Sequence, residues 1–257
     1  MKVASLNCNG FKACVNKGFW DWFHAADVDV LCMQEVRYAQ DEFTGKWQPP
    51  SGWHWVQVDA EKKGYSGVAI WSKKKPIRTM TKIGLDWADN EGRAVGAEFT
   101  NCVIWSIYFP SGTSGAERQA LKETFLEYMT PKMAQWKKDG KEVIVCGDYN
   151  IAHTALDIFH DKANANKSGF LPLERAWITA LLNTGWVDAF RQVNPKEEIF
   201  SWWSNRSKTA REKDVGWRID YQMVTPDLGC KVQGARVDKE PQISDHAPVV
   251  VTYDWYL

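Results

Sequence analysis

The stretch that decides the fold is Glu142-Val143-Ile144-Val145-Cys146-Gly147-Asp148-Tyr149-Asn150. Its apolar, mostly β-branched residues predict a short buried strand. Gly147 can take dihedrals closed to other residues, so a sharp turn is expected there. Asp148 and Asn150 then emerge at the strand's carboxyl end, one residue apart. A carboxylate and an amide so placed can hold and orient a water, which hydrolysis needs. Gly, Asp and Asn are equally the usual turn residues, so the stretch alone reads as well as a plain turn. Other stretches must decide.

The 257 residues suit one large domain or two small ones, with a substantial core. Hydrophobic content of 44% with 25% charged residues fits a soluble globular protein. No apolar run approaches the roughly 20 residues of a membrane span, and no charged-then-apolar leader opens the chain. A cytoplasmic protein is expected. The six cysteines lack paired metal spacing and several sit in apolar runs, which predicts buried free thiols. With 32 basic and 32 acidic residues, the balance argues against binding nucleic acid through bulk positive charge. A polyanion must be held by local patches. The 15 tryptophans are the unusual feature; most belong in the core, and a few on loops can stack on bases or line a pocket.

In chain order, strands are predicted at 2–6, 28–33, 53–58, 67–71, 94–99, 103–108, 202–203, 218–225 and 249–253. Helices are predicted at 17–26, 116–138 and 172–184, the second from Leu121, Phe125, Met129, Met133 and Trp136 recurring every three or four residues. Pro172 suits a first helical turn and Gly185 an end. Residues 153–169 and 205–213 read as loops, the first polar and the second basic. Helices lie between strands in both halves and no linker divides the chain, so a two-sheet α/β sandwich in one domain, 1–257, is expected. Asn7, Glu35, Tyr108, Asp148, Asn150, Asp220, Asp245 and His246 all fall at or near predicted strand edges, and ligands gather beyond the carboxyl ends of strands in α/β sheets. Singly, each has a plain structural reading. Together they describe a site.

Six blocks carry a family resemblance: Asn7-Cys8-Asn9-Gly10, Gln34-Glu35, Gly64-Tyr65-Ser66-Gly67-Val68, Gly147-Asp148-Tyr149-Asn150, Gly216-Trp217-Arg218-Ile219-Asp220-Tyr221 and Ser244-Asp245-His246. In order and in spread over the chain they resemble the exonuclease III family of AP endonucleases, bacterial type. Two blocks, Gly147 to Asn150 and Ser244 to His246, are shared with the wider metal-dependent phosphoesterase superfamily. The block from Gly216 to Tyr221 is more specific to DNA-repair members. The resemblance implies a four-layer α/β sandwich of two similar halves. It also implies Mg²⁺-dependent cleavage 5′ to abasic sites in double-stranded DNA, with Mn²⁺ as an alternative ion. Trimming of blocked 3′ ends and 3′–5′ exonuclease action would share that chemistry, and a monomer is expected.

Such hydrolysis needs an in-line water, charge stabilisation on the phosphoryl oxygens and help for the leaving oxygen. Mg²⁺ prefers oxygen ligands and few carboxylates. Glu35 is the first candidate ligand, supported by Asp245 and Asn7. Asp148, oriented by Asn150, would position or deprotonate the water. The resemblance implies that His246, paired with Asp220, contacts the phosphate and that Tyr108 adds a hydrogen bond. A His246–Asp220 base, or a second metal near Asp148 drawing on Asn150 and His246, stays open. Trp202, Trp217 and Ile219 are implied to line a small apolar pocket for a flipped-out sugar, whose extrusion is easier when its base is missing. Tyr65, Ser111, Asn164, Arg206, Lys208, Arg211 and Lys213 are candidates for gripping the DNA backbone. Two departures stand out: Ser111 where the family often has asparagine, and Asn9 where some members carry an acid. Two other readings remain, a phosphatase or nonspecific nuclease of another superfamily branch, and a DNA-binding module with a dead site.

Overall fold

The computed structural model describes every residue except Phe43. The chain opens with four strands of one sheet, β1 (Lys2–Asn7), β2 (Val30–Gln34), β3 (His54–Val58) and β4 (Val68–Ser72). It crosses to a second sheet of β5 (Arg78–Met80), β6 (Ala94–Glu98), β7 (Cys102–Tyr108), β8 (Glu142–Asp148) and β9 (Val187–Asp188). A two-stranded flap, β10 (Trp202–Trp203) and β11 (Gly216–Trp217), precedes β12 (Asp220–Val224), which rejoins the second sheet. β13 (Val232–Val237) and β14 (Val249–Tyr253) complete the first.

The sheet orders are β13-β14-β1-β2-β4-β3 and β5-β6-β7-β8-β12-β9. Each contains one parallel pair, β1 with β2 and β7 with β8, and all other neighbours are antiparallel. The halves therefore repeat one pattern, as expected. The near-continuous apolar runs are explained by burial on both faces. Val3, Val30, Cys32 and Ile70 of the first sheet meet Val95, Ile104, Ile144 and Cys146 of the second. Outside the first sheet, Leu31, Met33 and Trp71 pack on Phe11, Phe19 and Phe23 of the helices Phe11–Asn16 and Phe19–Ala26. Outside the second, Ile107, Val145 and Met223 pack on Phe125, Met129 and Ile178 of the helices Ala116–Lys138 and Pro172–Asn183. This is a four-layer sandwich. Pro131 lies inside the first of those two helices without ending it; the carbonyl it leaves unpaired belongs to Glu127, on the exposed face where water can bond it.

Polar side chains cross the otherwise apolar seam between the sheets. Gln34 Nε2 donates to Ser106 Oγ at 3.0 Å. Gln222 Nε2 donates to the backbone oxygens of Val3 and Val249, both at 3.0 Å, while Tyr253 Oη donates to Gln222 Oε1 at 2.8 Å. Each amide so placed is satisfied, so burial costs little.

Several expectations are corrected. The helix expected at 17–26 begins at Phe19, because Gly18 takes a left-handed backbone and separates it from an earlier helix, Phe11–Asn16. The strand expected at 218–225 is shorter, and Gly216–Trp217 pairs instead with Trp202–Trp203. The loop at 153–169 contains a 3₁₀ turn, Ala155–Asp157, and a short helix, Asp161–Asn164. The largest correction concerns Gly147. It lies within β8 and is not the turn residue; the left-handed φ of 52° falls on Asn150. Gly147 is needed for space, since a Cβ there would collide with the backbone oxygen of Ile107 on β7. Neither strand can move aside without breaking the parallel pairing. Gly147→Ala is therefore expected to cost about 3 kcal/mol or more, at the upper end for overpacking, read as a large fall in melting temperature. A variant that melts like the wild type would mean that β7 and β8 have slack.

Candidate active site

The parallel strands β1, β2, β7 and β8 end on one rim, and β12 and β14, antiparallel to their neighbours, begin there. Asn7, Glu35, Tyr108 and Asp148 thus arrive from strand ends, Asp220 and His246 from strand beginnings. Register sets Asp220 opposite Asp148, and Tyr108 beside it.

Asn7 is fully buried and joins the halves. Its Nδ2 donates to Glu35 Oε1 and to Asp148 Oδ2, both at 2.9 Å, while its Oδ1 accepts from Asn9 N at 2.9 Å. Glu35 also pairs with Arg37. Its left-handed φ of 47° is unusual for a glutamate and holds the carboxylate at the rim. Asp148 accepts from Asn150 N at 2.8 Å and from Asn150 Nδ2 at 3.3 Å. Asn150 Nδ2 also donates to Phe109 O at 2.9 Å, so both its hydrogens are committed and Oδ1 is the atom left for water.

His246 Nδ1 lies 2.9 Å from Asp220 Oδ2, and its Nε2 lies 3.8 Å from Asp148 Oδ2. Ser201 Oγ donates to the same Asp220 oxygen at 2.6 Å. Burial alone would lower the imidazole's pKa, but Asp220 and then Asp148 outweigh it and raise it to about 10. Burial pushes Asp148 up to about 7, with Asp220 and Glu35 adding to the rise and His246 opposing it. Burial, then the charges of Glu35 and Asp148, hold the Tyr108 hydroxyl well above 10. Asp245 is bonded by Asn9 Nδ2 at 3.0 Å and Trp202 Nε1 at 3.2 Å; burial raises its pKa, yet His246 and these donors bring it below the usual value.

The donor chemistry suits a divalent cation. Asp148, Asp220 and His246 form one such donor group, with ligand atoms within 4.8 Å of one another and Asp220 Oδ1 buried without a partner, and Glu35 and Asp245 offer a second, all-oxygen one. Glu35 and Asp245 flank this trio and Arg37 feels the charge of both, so four carboxylates converge on two cationic side chains. Oxygen ligands predominate, as a hard cation prefers.

Beside this centre, Trp202 and Trp217 stand edge to face, 5.9 Å apart at 88°, over Ile219. Ala152, Ile158 and Phe170 close the same apolar cluster. Trp202 forms a bridge with His246, so the cluster abuts the acids.

The remaining candidates differ. Tyr65 Oη accepts from Arg93 Nη2 and Arg118 Nη2, both at 3.0 Å, which fixes it near Tyr108, whose ring lies under Arg93. Ser111 Oγ is bonded to Thr113 Oγ1 at 2.9 Å. Asn164 turns back on its own helix, donating to Phe159 O and His160 O. Arg206, Lys208 and Lys213 are exposed. Arg211 faces inward: it bonds Ser244 O at 2.7 Å and Lys239 O at 2.6 Å and lies over Trp203. Arg37, Arg93, Ser201 and Phe170 were absent from the sequence-based set. Ser201, next to Trp202-Trp203, and Arg37, two residues after Glu35, have a neighbouring signal.

Fold and site together define a hydrolase of the phosphoester class, and the comparisons agree. The chain belongs to the Endonuclease/Exonuclease/phosphatase family, whose profile matches residues 4–246. It is similar to an exodeoxyribonuclease of Bacillus subtilis, with 36% identity over 97% of this chain and 98% of that protein. It is also similar to the DNA repair nuclease APEX1 of Danio rerio, with 33% identity over 98% of this chain and 81% of the other. An AP endonuclease structure from Archaeoglobus fulgidus superposes with a TM-score of 0.85 and 25% identity, covering 99% of this chain and 100% of that one. No helix among the described residues is long and apolar enough to cross a membrane.

Proposed function

We propose that this DNA-repair nuclease is Mg²⁺-dependent and hydrolyses the phosphodiester 5′ to an abasic site, leaving a 3′-hydroxyl and a 5′-deoxyribose phosphate. The observation that carries the substrate assignment is the closed apolar cluster of Trp202, Trp217 and Ile219 directly beside His246 and Asp245. An apolar surface of that composition suits a deoxyribose without a base. Trimming of 3′-phosphate ends and stepwise exonuclease action use the same groups on other DNA ends. All the groups come from one chain, so one copy suffices.

The roles follow from protonation. At neutral pH His246 carries its proton, because Asp220 stabilises the imidazolium, and it donates to a phosphate oxygen through Nε2. A protonated imidazole cannot accept a proton, which favours Asp148 as the base. Asp148, raised by burial from the ordinary carboxylate range to about 7, can ionise near neutral pH and is matched to taking a proton from water. Asn150 Oδ1 orients that water and Tyr108, still a phenol, donates to a phosphate oxygen. Glu35, Asp245 and Asn7 Oδ1 would hold Mg²⁺, which when bound supplies Lewis-acid charge for the phosphoryl and leaving oxygens. Mn²⁺ suits the same oxygen-rich set.

The test is the ratio of abasic incision to cleavage of undamaged duplex in wild type, Trp202→Ala and Trp217→Ala. Burial of an aromatic side chain is worth about 2–3 kcal/mol, so losing one wall should lower that ratio by about tenfold or more. Trp217→Ala leaves the acids untouched, so residual phosphodiesterase chemistry persists there, whereas Trp202→Ala also removes the indole bond to Asp245 and should lower cleavage of both substrates as well. An unchanged ratio in folded variants would make both tryptophans core residues and remove the support for abasic specificity.

A further inference from the structure

One buried ion pair lies outside the chemistry above yet touches both of its parts. Lys122, on the helix Ala116–Lys138, and Glu174, in the first turn of the helix Pro172–Asn183, meet at 2.6 Å, and neither side chain is exposed. Lys122 Nζ also donates to the backbone oxygen of Asn150 at 2.8 Å. Asn150 is the left-handed residue whose side chain contacts Asp148. Glu174 Oε2 accepts from the backbone N–H of Gly169 at 2.7 Å and of Leu171 at 3.0 Å. Gly169, with φ 94°, lies between the two parts of the site: a Cβ added there would come within 2.7 Å of the Trp217 ring and 3.2 Å of Asn150 O.

Burying a lysine and a glutamate together is a poor way to join two helices. Their desolvation commonly outweighs their attraction, and an apolar pair of similar volume often stabilises as well or better. An apolar pair, however, cannot donate to Asn150 O or accept from Gly169 N. Those two bonds, with the cap that Glu174 Oε2 gives Leu171 N, are what the charges add.

We propose that Lys122 and Glu174 are a positioning pair that sets, from one fixed point, both the water-orienting turn at Asn150 and the Trp217 wall of the pocket. The pair thereby couples rate to substrate discrimination. This rests on the reading of Asn150 and Trp217 given above.

The test replaces the pair by apolar side chains, Lys122→Met with Glu174→Leu, which keeps the helix contact and removes the bonds to Asn150 O and Gly169 N together with the cap at Leu171 N. A misplacement of 1 Å at a reacting centre can cost about 10²-fold, so kcat on abasic DNA should fall at least about tenfold with KM little changed. The ratio of abasic to undamaged cleavage should fall with it. A second variant, Glu174→Gln, is isosteric and retains one acceptor; it should show smaller falls in both and decides the matter if the double variant does not fold. In protein labelled with 5-fluorotryptophan, the Trp217 ¹⁹F resonance, identified by Trp217→Phe, should move in both variants. Folded variants with unchanged kcat, ratio and resonance would overturn the proposal, leaving a structural ion pair. A fall in kcat with ratio and resonance unchanged would overturn the coupling as well. A wild type inactive on abasic DNA would overturn the functional reading and this inference with it, whereas an active wild type with unaltered variants overturns this inference alone.

Discussion

Asp148→Asn should lower phosphodiester hydrolysis by about 10²- to 10⁴-fold, the usual contribution of a general base. Asparagine keeps the shape and one acceptor but cannot take a proton. The fold should survive. Asp148's carboxyl has a folded pKa of about 7, above its ordinary value of 3.8, because burial disfavours the charge and Asp220 and Glu35 oppose it. An acid shifted upward stabilises the fold most below its unfolded pKa, and that contribution is lost as pH rises through the folded one. At pH 8 the carboxylate is a burden, so removing its charge offsets the amide's poorer fit against Asn7 and Asn150. The wild type's kcat/KM should rise with pH through about 7 as Asp148 ionises and fall again near 10 as His246 loses its proton. The values belong to the coupled pair. Asp148→Asn should lose the acid limb along with the rate. A folded variant with wild-type turnover would return Asp148 to the status of a structural residue.

Glu35→Gln should be nearly as damaging, by about 10²-fold or more, the scale for removing a charge stabiliser from a site. The substituted amide can still accept from Asn7 Nδ2, as Glu35 Oε1 does, so the link to Asp148 persists. What disappears is the negative charge, and Arg37 then sits beside a neutral side chain. Cation affinity should drop sharply. The rise in melting temperature on adding Mg²⁺, which reads binding to the folded state without any substrate, should shrink in the variant. EDTA should abolish wild-type cleavage and Mg²⁺ should restore it. Full cleavage in EDTA would sink the metal assignment, and an unchanged Mg²⁺-induced rise would move it away from Glu35.

Where local pattern governs, the sequence reading holds. The helix Ala116–Lys138 and the strand Val249–Tyr253 occupy their expected positions, because one carries a long apolar stripe and the other an unbroken β-branched run. β5 and β13 escaped because edge strands with exposed residues take their conformation from the neighbour they pair with. The acids at the rim were legible as short polar blocks after apolar runs. Their partners were not: nothing local says that Ser201 faces Asp220, or that Arg211 turns inward to Ser244 and Lys239. Gly147 shows the same limit, since its requirement comes from Ile107, far away along the chain but adjacent in the sheet.

The polar contacts across the seam carry a consequence for recombination. Gln34 with Ser106, Gln222 with Val3 and Tyr253, and Asn7 with Asp148 act as index pins between two otherwise greasy plates. An apolar interface tolerates sliding; hydrogen bonds of fixed length do not. A chimera that joins the first sheet of this chain to the second sheet of a relative would still bury its oil, but unless matching pins came with it the plates would seat slightly out of line. The acids of the two halves would then miss one another, giving a stable protein that does not cut.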